Sequence, residues 1–280
     1  MTTVLSAITW DFQAEIFSIG SFAIRWYGVL FALGFYIGYL IMKKIYEKEK
    51  LNVEILDSLA MYMIIGSLLG ARFGHCLFYE PDYYLTHPLD IIKPWSGELG
   101  KNAVIGIQGL ASHGGAIGII VCLIVFCART KTNFVWLLDR LLIVVALGAG
   151  LIRLGNLMNQ EIIGIPTNMP WGFVFTRLGD NIPRHPAQLY EALSYFLIFG
   201  ILLSVYSKNR KKLPDGLLIG IFFISMFSMR FLIEFVKENQ VGFEEGMKLN
   251  MGQLLSIPFI IAGFIFLVLA MKKRKNAVQS

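Results

Sequence analysis

The chain has 280 residues, of which 56% are hydrophobic and only 16% charged. That is too apolar for an ordinary soluble domain and places the chain in the membrane class. Its net charge of +6 does not point to nucleic acid, because the basic residues fall in short clusters between apolar runs, where membrane topology accounts for them.

Residues 1–20 carry no basic n-region ahead of an apolar core, so no cleaved signal peptide is expected and the first span itself is expected to direct insertion. The segment 1–19, with Trp10, Phe12 and Phe17, reads as an amphipathic stretch along the outer membrane surface. A hydrocarbon core about 30 Å thick needs roughly 20 apolar helical residues. Spans are predicted at 23–42, 58–79, 110–128, 135–157, 187–206, 215–236 and 252–271, the third with a glycine-rich first half. The expected fold class is therefore all-α: a polytopic membrane protein of about seven transmembrane helices. No internal repeat, linker or low-complexity tract is present, so one domain over 1–280 is expected.

Lys and Arg positions orient the spans. One side holds Lys43, Lys44, Lys48 and Lys50, then Arg129 and Lys131, then Lys208, Arg210, Lys211 and Lys212, then Lys272, Lys273, Arg274 and Lys275. The other side holds Lys93, Lys101, Arg177, Arg184, Lys237 and Lys248. The richer side is cytoplasmic by the positive-inside rule, which puts the N-terminus outside and the C-terminus inside. Trp95, Trp171, Tyr83 and Tyr84 in the outer loops suit an interfacial belt. Cys76, Cys122 and Cys127 sit in apolar stretches without ligand spacing and read as buried space-fillers.

Five arginines are left in or at the ends of spans: Arg25, Arg72, Arg140, Arg153 and Arg230. Each costs about 2.5–3.5 kcal/mol at a helix centre on insertion scales, so each needs a reason. Arg140, beside Asp139 near the start of span four, reads as snorkelling, and Arg25 can do the same. Arg72 is open between the two readings. Arg153 shares a helix face with Asn156 at i, i+3, and Arg230 with Glu234 at i, i+4. The bland reading is a pair of structural couples. The sharper one is two guanidinium groups facing one cavity in the outer half of the bilayer, where they would meet a phospholipid phosphate in bidentate fashion.

Residues 106–118, GIQGLASHGGAIG, are too glycine-rich for a regular helix interior. They are expected to form an irregular stretch at the outer end of span three, covered by protein or lining a cavity. His113 lies within it, followed by Gly114 and Gly115, which let another group approach closely. An imidazole there is either a hydrogen-bonded structural residue or a group that exchanges a proton or binds phosphate. A second polar segment, RHPAQLYE at 184–191, reads as the start of span five, with Arg184, His185, Gln188, Tyr190 and Glu191 taken as structural.

The chain resembles the bacterial phosphatidylglycerol–prolipoprotein diacylglyceryl transferases. The motifs are RWYG at 25–28, GARFGHCLFY at 70–79, SHGGAIG at 112–118, LIRLGNLMNQEIIG at 151–164, RHPAQLYEAL at 184–193, RFLIEFVK from 230 and MGQLLSIP at 251–258, in family order from the first span to the last. The resemblance implies transfer of the diacylglyceryl group of phosphatidylglycerol to the lipobox cysteine thiol of a prolipoprotein, with glycerol phosphate leaving. It also implies the bacterial cytoplasmic (inner) membrane, and as partners phosphatidylglycerol, the prolipoprotein signal peptide and membrane lipid. By the same resemblance Tyr27, His113, Arg153, Asn156, Glu161, Gly164, Arg230 and Glu234 match positions implicated in activity. Leu151 and Ile152 stand where the family commonly has small residues, and Lys237 where some members have arginine.

Given that reaction, Arg153 and Arg230 are expected to clamp the phosphate, with Asn156 and Tyr27 as hydrogen-bond partners. Glu234 would orient Arg230. Glu161, Gly164, Gly114 and Gly115 are expected about the phosphatidylglycerol, with Glu161 orienting a polar group or the glycerol headgroup at the cavity mouth. His113 is the candidate general base for the thiol, and phosphate binding is its rival role. No metal cluster, P-loop or dinucleotide fingerprint is present, so no metal and no cofactor are expected. A transporter with a charged pathway is the main competing class. It would place charges across the whole bilayer and often carry an internal repeat.

Overall fold

The computed structural model describes residues 7–19, 22–93, 95–96, 104–105, 111–239, 244 and 246–279. Among them are seven helices long and apolar enough to cross a membrane. These are α1 Trp26–Lys48, α2 Val53–Phe78, α4 Ser112–Thr130, α5 Phe134–Asn159, α6 Ala187–Asn209, α7 Leu217–Ile233 and α8 Met251–Gln279. A short α3, Pro81–Thr86, follows α2. The seven predicted spans and the all-α membrane class are borne out. Apolar runs of this length form helices because hydrocarbon offers the backbone no other partner for its N–H and C=O groups. On α1, Val29, Leu33, Tyr36 and Leu40 stand exposed at helical spacing, a stripe suited to lipid.

Among the described residues seven short strands precede α1 or lie between helices: β1 Ile8–Trp10, β2 Glu15–Ile19, β3 Phe22–Arg25, β4 Trp95–Ser96, β5 Val104–Ile105, β6 Phe173–Phe175 and β7 Pro183–Arg184. By Cα proximity the chain gathers into two compact units. The larger comprises Met1–Phe17, Ile24–Ile41 and Leu138–Ser280, and the smaller Ser18–Ala23 and Met42–Leu137.

In the smaller unit α2 lies along α4, and glycines on both helices make that approach possible. A Cβ built on Gly70 would fall 2.4 Å from the carbonyl oxygen of Gly114, one on Gly118 2.2 Å from that of Gly66, and one on Gly74 2.6 Å from the Cα of Gly114. Gly66, Gly70 and Gly74 recur every fourth residue, as do Gly114 and Gly118, which is the small-xxx-small pattern of close membrane-helix packing. This corrects the expectation of an irregular segment. Residues 112–118 are the first two turns of α4, and the glycines there serve helix contact; residues 106–110 lie outside the described residues. Arg72 is also accounted for: its Nε and Nη2 donate to the carbonyls of Ile91 and Asp90 at 2.8 and 2.7 Å, and its guanidinium lies over the Tyr84 ring. It ties the loop after α3 to α2.

In the larger unit β6 is the middle strand of a three-stranded sheet, parallel to β1 and antiparallel to β7. The segment expected to lie along the membrane surface therefore contributes an edge strand. Its Trp10 stacks on Phe173 and donates from Nε1 to the Leu157 carbonyl at 3.1 Å, against a small core of Leu157, Ile163, Phe173 and Phe175. At the far end of α5, Arg140 is 3% exposed and does not snorkel. It lies 3.9 Å from both Asp139 and Asp215, and Asp139 accepts from the backbone N–H of Gly216 at 2.7 Å and of Ile219 at 2.8 Å. The carboxylate thus caps the first turn of α7, satisfying donors that a helix start leaves free and meeting the positive end of its dipole.

Gly70→Val is expected to lower stability by about 3 kcal/mol by forcing α2 from α4. Gly200→Ala, in α6 with open space around the added carbon, is expected to gain about 0.5–1 kcal/mol of helix stability. Thermal unfolding of the two variants in one detergent should therefore shift in opposite directions.

Candidate active site

In the larger unit the C-terminal turns of α5 and α7 lie against the N-terminal turns of α1, α6 and α8. Three glycines let them close. A Cβ on Gly155 of α5 would meet the Tyr27 ring of α1 at 2.8 Å, and one on Gly252 of α8 would meet the Glu234 carboxylate at 2.5 Å. Gly164, after α5, is closed in by the carbonyls of His185 and Val236, each 2.5 Å from a built Cβ, and its N–H donates to the first at 2.9 Å. The His185 Cβ closes it in as well, at 2.6 Å, because three chain segments cross there.

The charged groups form a continuous chain. Arg153 Nε lies 2.9 Å from Glu191 Oε2, an ion pair by distance whose N–H is not aligned for a hydrogen bond. Arg153 Nη1 donates to Asn156 Oδ1 at 3.3 Å, and Asn156 Nδ2 donates to Glu161 Oε1 at 2.7 Å. Asn159 Nδ2 reaches the same oxygen at 3.2 Å. On the other side Lys237 Nζ sits 3.6 Å from Glu191 Oε1 and 3.2 Å from Glu234 Oε2. The buried hydroxyl of Tyr195 donates to Glu191 at 3.5 Å. Tyr27 in turn lies within reach of Glu161 and Arg153. Glu161 also forms part of the wall of an open cavity of ≈ 600 Å³, shared with Asp11, Glu15, Arg25, Asn159 and Arg177. Arg25 stands at its rim, 63% exposed and 3.4 Å from Glu15.

Tyr27, Arg153, Asn156, Glu161, Arg230 and Glu234 are thus brought to one end of one unit. One expected pairing is corrected. Glu234 meets Lys237, and among the described residues Arg230 makes no ion pair within 4.0 Å. The reason is local: α7 gives way to a 3₁₀ turn at Glu234–Val236, where residues i and i+3 eclipse, so Lys237 falls under Glu234. His113 stands exposed on the first turn of α4 in the smaller unit, with Gly114 and Gly115 packed toward α2.

Glu191 and Lys237 were not singled out as site residues from sequence, yet they are 0% and 6% exposed and hold the cluster together. The available signal was charge balance: two span arginines in an apolar setting require carboxylates nearby. A second group lies outside the spans. Arg184 pairs with Asp180 at 2.6 Å and with Glu238, and the guanidinium holds the Asp180 carboxyl below the usual carboxylate range. His185 bonds the Tyr190 hydroxyl through Nδ1 at 3.1 Å, and burial pushes its pKa below the ordinary 6.5.

Seven apolar helices define a polytopic membrane protein, and its larger unit holds a buried cluster of guanidinium, ammonium and carboxylate groups. The model of the prolipoprotein diacylglyceryl transferase family matches residues 14–269. Proteins named phosphatidylglycerol–prolipoprotein diacylglyceryl transferase are similar along nearly the whole chain. That of Chloroherpeton thalassium is 48% identical over 96% of both chains, that of Tolumonas auensis 45% over 95% of this chain and 98% of its own, and that of Bacteroides fragilis 43% over 98% and 99%. The chain belongs to the prolipoprotein diacylglyceryl transferase family and is a transferase.

His185 sets a pH dependence. With its folded pKa below the unfolded value, the native state binds fewer protons, so its contribution is present above about 6.5 and is lost as the pH falls through that value. Asp180 acts in the same direction, but below the ordinary carboxyl value of about 3.9. The unfolding temperature is expected to fall between about pH 7 and pH 5, and to fall less in His185→Gln.

Proposed function

We propose that this chain transfers the diacylglyceryl group of phosphatidylglycerol to the lipobox cysteine thiol of prolipoproteins, the first step of bacterial lipoprotein maturation. A thioether forms and glycerol phosphate is released. The single observation that carries the reading is the buried charge chain at one end of the larger unit, in which Arg153 meets Glu191 and Lys237 meets both Glu191 and Glu234. A guanidinium held there with donors to spare suits a phosphate, and Arg230 is proposed as its partner.

The reaction is a displacement at a glycerol carbon. The thiolate sulfur forms a C–S bond, the C–O bond to phosphate breaks, and its electron pair leaves on the phosphate oxygen. Charge grows on the leaving group as that bond lengthens, and preorganised cations in a water-poor site stabilise it more than they stabilise the diester. Arg153 and Arg230 fill that role, with Asn156 and Tyr27 completing the hydrogen bonds. Glu161, at the wall of the open cavity, faces the glycerol headgroup. His113 takes the thiol proton; its rival role is phosphate binding. Neighbouring guanidinium groups also favour the thiolate directly, because a cation lowers a thiol pKa from about 8.5.

The Lys and Arg distribution supports the inner membrane with the N-terminus outside, the C-terminus cytoplasmic and the charged cluster in the outward half. A cysteine-reactive, membrane-impermeant reagent applied to intact cells is expected to label a cysteine placed at Asp180 and to spare one placed at Lys208; the reverse pattern overturns this orientation.

The central test incubates purified protein with phosphatidylglycerol and a lipobox peptide and follows the diacylglyceryl mass gain on the peptide cysteine. Arg153→Ala and Arg230→Ala are each expected to cut the rate by at least about 10²–10³. Near-parental rates in either variant would remove the clamp. Near-normal turnover in His113→Gln would remove the general-base role.

A further inference from the structure

We infer that Glu191 is a positioning residue for phosphatidylglycerol, acting through Arg153 and resting on the functional reading above. Glu191 is 0% exposed, whereas the Arg153 side chain is 16% exposed. The carboxylate therefore does not meet the ligand, and the guanidinium can. A guanidinium is planar, with its N–H groups in one fork, so contacts along one edge set where the rest of the plane points. Glu191 holds the guanidinium at Nε by opposite charge, without an aligned hydrogen bond, and Asn156 accepts from Nη1, so Arg153 is anchored at two points with donors still available to an anion.

The second oxygen of Glu191 faces Lys237, and Tyr195 closes the group. A carboxylate so deeply buried needs opposite charge beside it, and this one meets two cations. One turn earlier on the same helix, the fully buried Gln188 donates from Nε2 to the backbone carbonyl of Glu161 at 2.6 Å. The first turns of α6 thus brace the site twice: Gln188 holds the chain that carries Glu161, and Glu191 holds the guanidinium of Arg153.

Glu191 also balances charge, and a role confined to that would leave substrate recognition untouched. Steady-state kinetics separate the two. In Glu191→Gln, which keeps the shape and removes the charge, KM for phosphatidylglycerol is expected to rise about tenfold or more, with KM for the lipobox peptide within about twofold of the parent. Glu191→Asp keeps the charge on a shorter stem and is expected to fall between the two, so it carries the test if the glutamine variant does not fold. A fall in kcat with both KM values unchanged, or a parallel rise in both, overturns the inference while an active parent leaves the transferase reading standing. A parent without transfer overturns that reading and this inference together.

Discussion

A charge held among apolar helices must find an opposite charge, because the surroundings cannot solvate it. In the larger unit that requirement is met by alternation. Glu161 holds Asn156, Asn156 holds Arg153, and Glu191 lies between Arg153 and Lys237 with Glu234 beyond. Two of the links, Arg153–Glu191 and Glu191–Lys237, cross between elements and so join α5, α6 and the end of α7. Gly155, Gly164 and Gly252 belong to the same constraint: they remove the side chains that would keep these segments apart.

The pairing is uneven in a way that suits catalysis. Glu191 and Lys237 are nearly shut from solvent, and breaking one of them would leave the other buried and uncompensated. Arg230 is half-buried with no carboxylate in contact among the described residues, and Arg153 spends only part of its donor fork on the protein. The cations with capacity to spare are the two assigned to the phosphate. Such an arrangement keeps the resting protein stable and still leaves attraction unspent until an anion arrives.

Much of the fold was legible in sequence, because hydrophobic run length is set by membrane thickness and needs no tertiary knowledge. The arginines of the site were legible for the same reason, as costly exceptions to that pattern. What sequence could not resolve was the use of each polar residue across helices. Gly114 and Gly118 looked like helix breakers because propensity scales describe helices in water, whereas here they face Gly66, Gly70 and Gly74. Arg140 looked like a snorkelling side chain because its partner Asp215 is remote in sequence. Glu234 looked bound to Arg230 because i, i+4 spacing puts them on one face, whereas Lys237, three residues further on, takes its carboxylate.

The Asp139 cap has a mechanical side. It fastens α5 to the first turn of α7, at Gly216 and Ile219. Arg153 lies fourteen residues along α5 from Asp139, and Arg230 fourteen residues along α7 from Gly216. The two helices are therefore arms of matched length, each about 21 Å, hinged at the pin and tipped with a guanidinium. At that leverage a splay of only about 5° shifts the tips by nearly 2 Å, in a setting where a 1 Å misplacement can cost about 10²-fold in rate. A carboxylate at the opposite end of the helices therefore bears on the gap between the tips.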